Sequence, residues 1–182
     1  MTRTRAVRIG SVTIGGGAPL ALIGGPCAIE NEKHALMMAE RLQRVTADAG
    51  VPFIYKSSYD KANRSSIHSY RGPGLTEGLR ILQKVKDETG LAVLSDVHDV
   101  TEVAPAAQVL DVLQVPAFLC RQTDLIVACA RSGRLDRARL WQGLRESATA
   151  TAMIYVMIMG ALIFTYFLNL TRVPEALVQG IS

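Results

Sequence analysis

The chain has 182 residues, room for one domain or for one domain and an appendage. It is 49% hydrophobic and 20% charged, and its net charge of +4, with no basic stripe interleaved with aromatics, argues against a nucleic-acid partner. Three cysteines, Cys27, Cys120 and Cys129, make neither an even disulfide framework nor a CxxC metal knuckle, so a reducing environment is expected for the soluble part.

Arg3, Arg5 and Arg8 have no long apolar run behind them, which argues against a secretory signal. Residues 7–9 and 12–14 alternate apolar with polar around Gly10-Ser11 and predict a small hairpin. Residues 20–24 are an apolar strand. Asn31 then opens a helix with Ala35, Met38, Leu42, Val45 and Ala49 on one face. Gly50-Val51-Pro52 breaks it, 53–56 is the next strand, and 57–74 is a polar loop in which Gly72-Pro73-Gly74 supplies a rigid turn. A second helix runs from about Leu75 to Gly90, with Leu79, Leu82 and Val85 inward, and 91–94 is the third strand. Asp99 and Glu102 have capping-box spacing for a helix over 101–109. Residues 112–115 are the fourth strand and 124–131 the helix after it.

This is a βα unit repeated four times, which implies an α/β fold with a parallel sheet and right-handed crossovers. Polar groups follow each strand: Cys27 and Glu30, Lys56-Ser57-Ser58, Asp96 and His98, and Gln114. In an α/β barrel those positions form the C-terminal rim, where chemistry sits. The alternation fits a small doubly wound sheet equally well.

The pattern changes after Gly133. Up to that residue there are 15 Lys and Arg against 13 Asp and Glu; beyond it, 5 Arg against 3 acids. The 25 residues between Glu146 and Arg172 carry no charge, and 153–168 is almost wholly apolar. About 20 apolar residues span a bilayer as a helix, and a helix buried in a soluble domain is seldom apolar on every face. A transmembrane helix is therefore expected near 148–170, the alternative being a buried or aggregation-prone helix. Arg131, Arg134, Arg137, Arg139 and Arg145 precede the span and only Arg172 follows it, which places its N-terminal side in the cytoplasm.

The chemistry concentrates in residues 55–66, where two lysines, an arginine, an asparagine and four serines fall within twelve positions. A phosphate ester needs charge neutralisation and directional donors together, although composition by itself favours a solvated loop. The run from Lys56 to Leu75, with its KANRSSIHSYRGPGL core, resembles the signature of 3-deoxy-D-manno-octulosonate 8-phosphate synthases. The stretches 25–30 (GPCAIE), 94–98 (LSDVH) and 114–125 (QVPAFLCRQTDL) agree in order and spacing, so the resemblance covers about residues 5–133. It implies the N-terminal half of a (β/α)8 barrel that condenses phosphoenolpyruvate with arabinose 5-phosphate and releases inorganic phosphate, in lipopolysaccharide core synthesis. It also implies roles. Lys56, Ser58 and Lys61 would contact phosphoenolpyruvate, Asn63, Arg64 and Ser65 the pentose phosphate, and Asp96 the sugar hydroxyls. Gln114 and Ala117 would line the floor near the phosphoenolpyruvate phosphate, with Lys61 and Asp96 the catalytic residues. A homo-oligomer is compatible with it. Cys27, in its GPCAIE context, resembles the metal-dependent branch, which implies a divalent metal; the companion histidine and two carboxylates come from the second half, so the site here is incomplete. His34, His68 and His98 read as structural, and Cys120 and Cys129 as core or helix-packing thiols.

Where that family continues into a lysine-rich fifth strand, this chain instead has Arg134 to Trp141. From there it resembles the large membrane subunit of TRAP transporters, on Leu140 to Ser147, Thr151-Ala152-Met153-Ile154, Gly160-Ala161 and Thr171-Arg172-Val173-Pro174. The expectation is thus a truncated synthase half over 1–133, cytoplasmic, joined to a permease-like segment over 134–182 that associates with the membrane, and inactive as a synthase. A transporter fragment and a fused reading frame without function are the alternatives.

Overall fold

A computed structural model describes residues 5–134, except 63, 65 and 67, together with 137–171. Asn63 and Ser65 therefore lie outside the described residues. The chain divides into two units, Met1–Leu135 and Asp136–Ser182.

The first unit begins with a hairpin, β1 (Val7–Ile9) and β2 (Val12–Ile14), with Val7 opposite Ile14. Then come β3 (Leu22–Gly24), α1 (Glu32–Asp48), β4 (Phe53–Lys56), α2 (Leu75–Thr89), β5 (Ala92–Asp96), α3 (Val100–Val109), β6 (Val112–Gln114) and α4 (Thr123–Cys129). Strands β3, β4, β5 and β6 form one parallel sheet in chain order.

Successive strand residues point to opposite faces, and here the two faces meet different partners. Phe53, Tyr55 and Val93 pack into one cluster with Ala35 and Ala39 of α1, Leu82 and Val85 of α2, Val103 and Ala106 of α3, and Leu125 of α4. Ile54, Ala92 and Leu94 face the other way, against Val12 of the hairpin, with Ile9, Ile14 and Val112 around them. All four helices thus cover one face and the hairpin covers part of the other. A doubly wound sheet would carry helices on both faces. One-sided winding is consistent with a segment of an α/β barrel.

Most predicted elements are present, with shifts of a residue or two at their ends, and several details differ. In α1 Ala35, Ala39 and Thr46 are buried and Met38 and Leu42 pack against the core beside them, whereas Val45 is 64% exposed and Ala49 is exposed too. Thr46 can be buried because its hydroxyl donates to the Leu42 and Gln43 carbonyls. The third strand extends to Asp96, two residues further than expected. At the start of α3 the Asp99 side chain accepts from the Thr101 N–H, but Glu102 does not return to the Asp99 amide; it accepts from the His98 N–H. Finally, Cys129 is buried in the core, but Cys120, which lies in the turn after a short 3-10 segment (Ala117–Leu119), is exposed.

The second unit contains α5, Arg137–Thr171, a helix of 35 residues. Its window Thr151–Leu168 has a mean hydropathy of 2.0, and none of it is buried. By length and composition, that window is long enough and apolar enough to cross a membrane.

Candidate functional site

The parallel register decides where the polar strand ends go. Lys56 pairs with Leu94, Leu94 with Val112, and Asp96 with Gln114. Lys56, Asp96 and Gln114 each stand two positions beyond Ile54, Leu94 and Val112 respectively, so all three point to the hairpin's face, at the C-terminal ends of their strands.

Beside those ends opens a pocket of about 510 Å3. Lys61, Asp96, His98 and Gln114 supply its polar wall. Pro116, Ala117, Phe118 and Leu119 supply an apolar one, with Phe118 70% exposed. Four of the residues singled out in the sequence, Lys61, Asp96, Gln114 and Ala117, are therefore brought together. Lys56 stands near enough for its charge to act on Asp96 but does not line the pocket. Ser58 is fully buried, and Arg64 is exposed with its Nε donating to the Tyr70 carbonyl. Neither lines the pocket.

Local stitching places Lys61. The Ser57 hydroxyl donates to the Pro26 carbonyl, the Ile29 N–H donates to the Ser58 carbonyl, and Ala28 bridges Ser58 in parallel fashion. Gly25 makes this close approach feasible: its φ is +151°, and a Cβ there would sit 2.1 Å from the Lys56 carbonyl oxygen. At the base of the following loop, Arg71 Nε donates to Asp60 Oδ1 at 2.7 Å, while the Lys61 N–H donates to the Arg71 carbonyl at 2.7 Å. The loop is pinned at Lys61 itself and at the residue before it.

Asp96 is only 4% exposed. Burial would raise its carboxyl, but the hydrogen bond with His98 and the Lys56 charge outweigh that and hold it at about 2. His98 Nε2 lies 3.2 Å from Asp96 Oδ2, and the pairing raises the imidazole above its ordinary value, against the opposing effect of burial. The Ser58 hydroxyl stands close enough to favour the Asp96 charge without completing a hydrogen bond to Oδ1, which has no partner among the described residues. Sequence reading gave His98 a structural role only. The signal that it belongs to the pocket was its place two residues beyond Asp96 and four before Glu102.

Cys27 is exposed, and among the described residues no group of three or more His, Cys, Asp and Glu side chains could hold a metal ion. A tetrahedral site needs three or four ligands, so the residues present do not fit the divalent ion that the Cys27 motif implies.

Residues 3–138 match the DAHP synthetase I family. Among curated proteins, the chain is 57% identical over 141 residues to a "2-dehydro-3-deoxyphosphooctonate aldolase" of Geobacter sp. (strain M21), an alignment covering 78% of this chain and 52% of that protein. Proteins of the same name from Trichlorobacter lovleyi and Geobacter sulfurreducens are each 59% identical, over 78% and 76% of this chain and 52% and 51% of theirs. The chain spans about half the length of the curated relatives it matches. Through residues 3–138, it belongs to the DAHP synthetase I family.

Proposed function

We propose that residues 1–133 are the N-terminal half of a 3-deoxy-D-manno-octulosonate 8-phosphate synthase barrel, the enzyme that condenses phosphoenolpyruvate with arabinose 5-phosphate. The observation that carries this reading is the convergence of Lys61, Asp96, Gln114 and Ala117 on one pocket at the C-terminal ends of parallel strands. The names of the relatives support it, since 2-dehydro-3-deoxyphosphooctonate is the same phosphorylated eight-carbon sugar acid. In that reaction the enol carbon of phosphoenolpyruvate attacks the sugar aldehyde, water adds at the neighbouring carbon, and phosphate leaves. Lys61 offers its cation to phosphoenolpyruvate, with Lys56 and the buried Ser58 assigned to the same substrate although they stand behind the pocket wall. Asn63, Arg64 and Ser65 serve the pentose phosphate. Asp96, ionised and almost fully buried, accepts from the sugar hydroxyls, and Gln114 and Ala117 form the floor. A lone cation on a loop binds phosphate weakly, and a cation with convergent donors binds it better. The described pocket should therefore hold phosphoenolpyruvate weakly, and Lys61→Ala should weaken it about tenfold or more. Calorimetry on the full chain checks this; equal binding by wild type and variant would remove Lys61 from the site.

The barrel half on its own does not carry out the condensation in this reading, and a second copy of the chain is compatible with it. Residues 1–133 are placed in the cytoplasm and α5 in the membrane, as a segment like those of TRAP transporter large subunits. A fused reading frame without function is the rival account of the joined halves. The membrane reading rests on a window with no buried residue, since apolar surface exposed all around a helix is stable in lipid and not in water. Expressed in bacteria, the full chain should sediment with membranes and resist carbonate extraction. Recovery as a soluble monomer would exclude the spanning helix.

A further inference from the structure

Beside Asp96 lies a buried polar cluster whose members come from three separate segments. Tyr59, fully buried after β4, donates its hydroxyl to Glu102 Oε2 at 2.8 Å. Glu102, in the first turn of α3, also accepts the His98 N–H at 2.8 Å through the same oxygen. The His98 ring stands edge-on to the Tyr59 ring, with centroids 6.2 Å apart and planes at 90°. Its Nδ1 lies 3.5 Å from Glu102 Oε2, an ion-pair approach rather than an aligned hydrogen bond, and its Nε2 lies 3.2 Å from Asp96 Oδ2. The imidazole, 15% exposed, is thus gripped between two carboxylates, one fixed by helix and tyrosine and the other at the wall of the pocket.

That arrangement does more than bury a histidine. A carboxylate offers about four acceptor positions, and the one side-chain hydrogen bond given to Asp96 by the described residues comes from His98. An ionised carboxylate so nearly buried and so lightly bonded is costly unless something else donates to it. We infer that His98 is a positioning residue: held by Glu102 on one side, it fixes the Asp96 carboxylate on the other, leaving the remaining acceptor capacity of Asp96 for the hydroxyls of a bound sugar phosphate. The identity of the ligand rests on the function proposed above; the clamp itself does not.

The charges facing the ring are Asp96, Glu102 and, more distantly, Asp60, with Lys56 acting on Asp96 from β4 and the neutral phenol of Tyr59 closing the side. Three carboxylates around one imidazole favour its doubly protonated form, and burial opposes it. The ring therefore keeps its proton to a higher pH than an ordinary histidine. Both of its N–H groups then serve, one toward each carboxylate.

The chain has three histidines, so a nitrogen-15 spectrum of the full-length protein in detergent can be assigned with His34→Gln and His68→Gln. The His98 midpoint should lie above 6.5 and fall in both Asp96→Asn and Glu102→Gln. Binding supplies the second readout. His98→Phe should weaken arabinose 5-phosphate about tenfold, the loss of one well-placed hydrogen bond, while His98→Gln, which keeps a donor, should weaken it less. Inorganic phosphate, which has no sugar hydroxyls, should bind all three proteins alike. A midpoint near the ordinary value that ignores Asp96→Asn overturns the clamp, and so does equal weakening of both ligands, the result of a merely structural role. Wild type that binds no arabinose 5-phosphate, while its His98 midpoint still falls in Asp96→Asn, would support the clamp and overturn the sugar-phosphate reading.

Discussion

Supplied with phosphoenolpyruvate and arabinose 5-phosphate, the purified full-length chain should release no phosphate above the uncatalysed background, with or without added divalent metal. The pocket draws its walls from the loop after β4 and from the ends of β5 and β6 with the turn that follows. The relatives that the chain matches are about twice the length of the matched segment, which covers 52% of the Geobacter sp. protein. Condensing two anionic substrates with a water requires all three to be held in one closed geometry. A misplacement of about 1 Å can cost on the order of a hundredfold, and on the proposed reading, in which this chain holds one half of the barrel, the cost should be far larger. Added metal should not restore activity, because Cys27 is exposed and no cluster of ligands surrounds it among the described residues. A coupled phosphate assay at high protein concentration checks this. Phosphate release that requires both substrates and disappears in Lys61→Ala would overturn the proposed inactivity and place the family's chemistry in this chain.

Gly78→Val should largely unfold the first unit. Gly78 is buried in α2, and a Cβ added there would meet the Tyr59 Cβ at 2.2 Å and its Cα at 3.1 Å. These are main-chain and near-main-chain atoms, so no flexible side-chain end can swing aside. Helix propensity pulls the other way, since glycine inside a helix costs up to about 1 kcal/mol relative to other residues. Overpacking typically costs about 1–3 kcal/mol, and a branched side chain driven against a fully buried tyrosine belongs at or above the top of that range. The clash wins. Relief would require either α2 or Tyr59 to move, and displacement of Tyr59 would break its hydrogen bond to Glu102 as well. Thermal unfolding followed by near-ultraviolet dichroism should show the cooperative transition lost or moved down by ten degrees or more, on the order expected for several kcal/mol in a domain of this size. An unchanged transition would mean that α2 and Tyr59 do not pack as described.

How much of this was legible beforehand depends on which force wrote each feature. Hydrophobic periodicity and punctuation revealed the βα alternation: Asn31 caps α1, Gly90 ends α2 with φ +69°, and the hairpin lies where Gly10 turns it. Periodicity failed where a polar side chain satisfied itself locally, as Thr46 does in taking the inward place expected of Val45. It could not choose between a barrel segment and a doubly wound sheet, because helix sidedness is decided by packing and not by the order of elements. Within the site, Asp96 and Gln114 could be paired only once the β5 to β6 register was known. The role of Glu102 was misjudged for a related reason. Capping-box spacing is real, but a carboxylate with three donors within reach binds those that tertiary structure brings, here the His98 amide and the Tyr59 hydroxyl.

In the four-stranded sheet, spatial order and chain order coincide, so each strand's partner is made by the ribosome immediately before or after it. No strand waits for any segment beyond the next strand to be synthesised, although each parallel pairing must still close a helical crossover. The unit can add one βα layer at a time as it emerges, with the hairpin available from the outset to shelter Ile54 and Ala92. The apolar window of α5 is translated after the last strand of that sheet. The nascent chain can therefore have its soluble layers in place before its most water-averse segment leaves the exit tunnel.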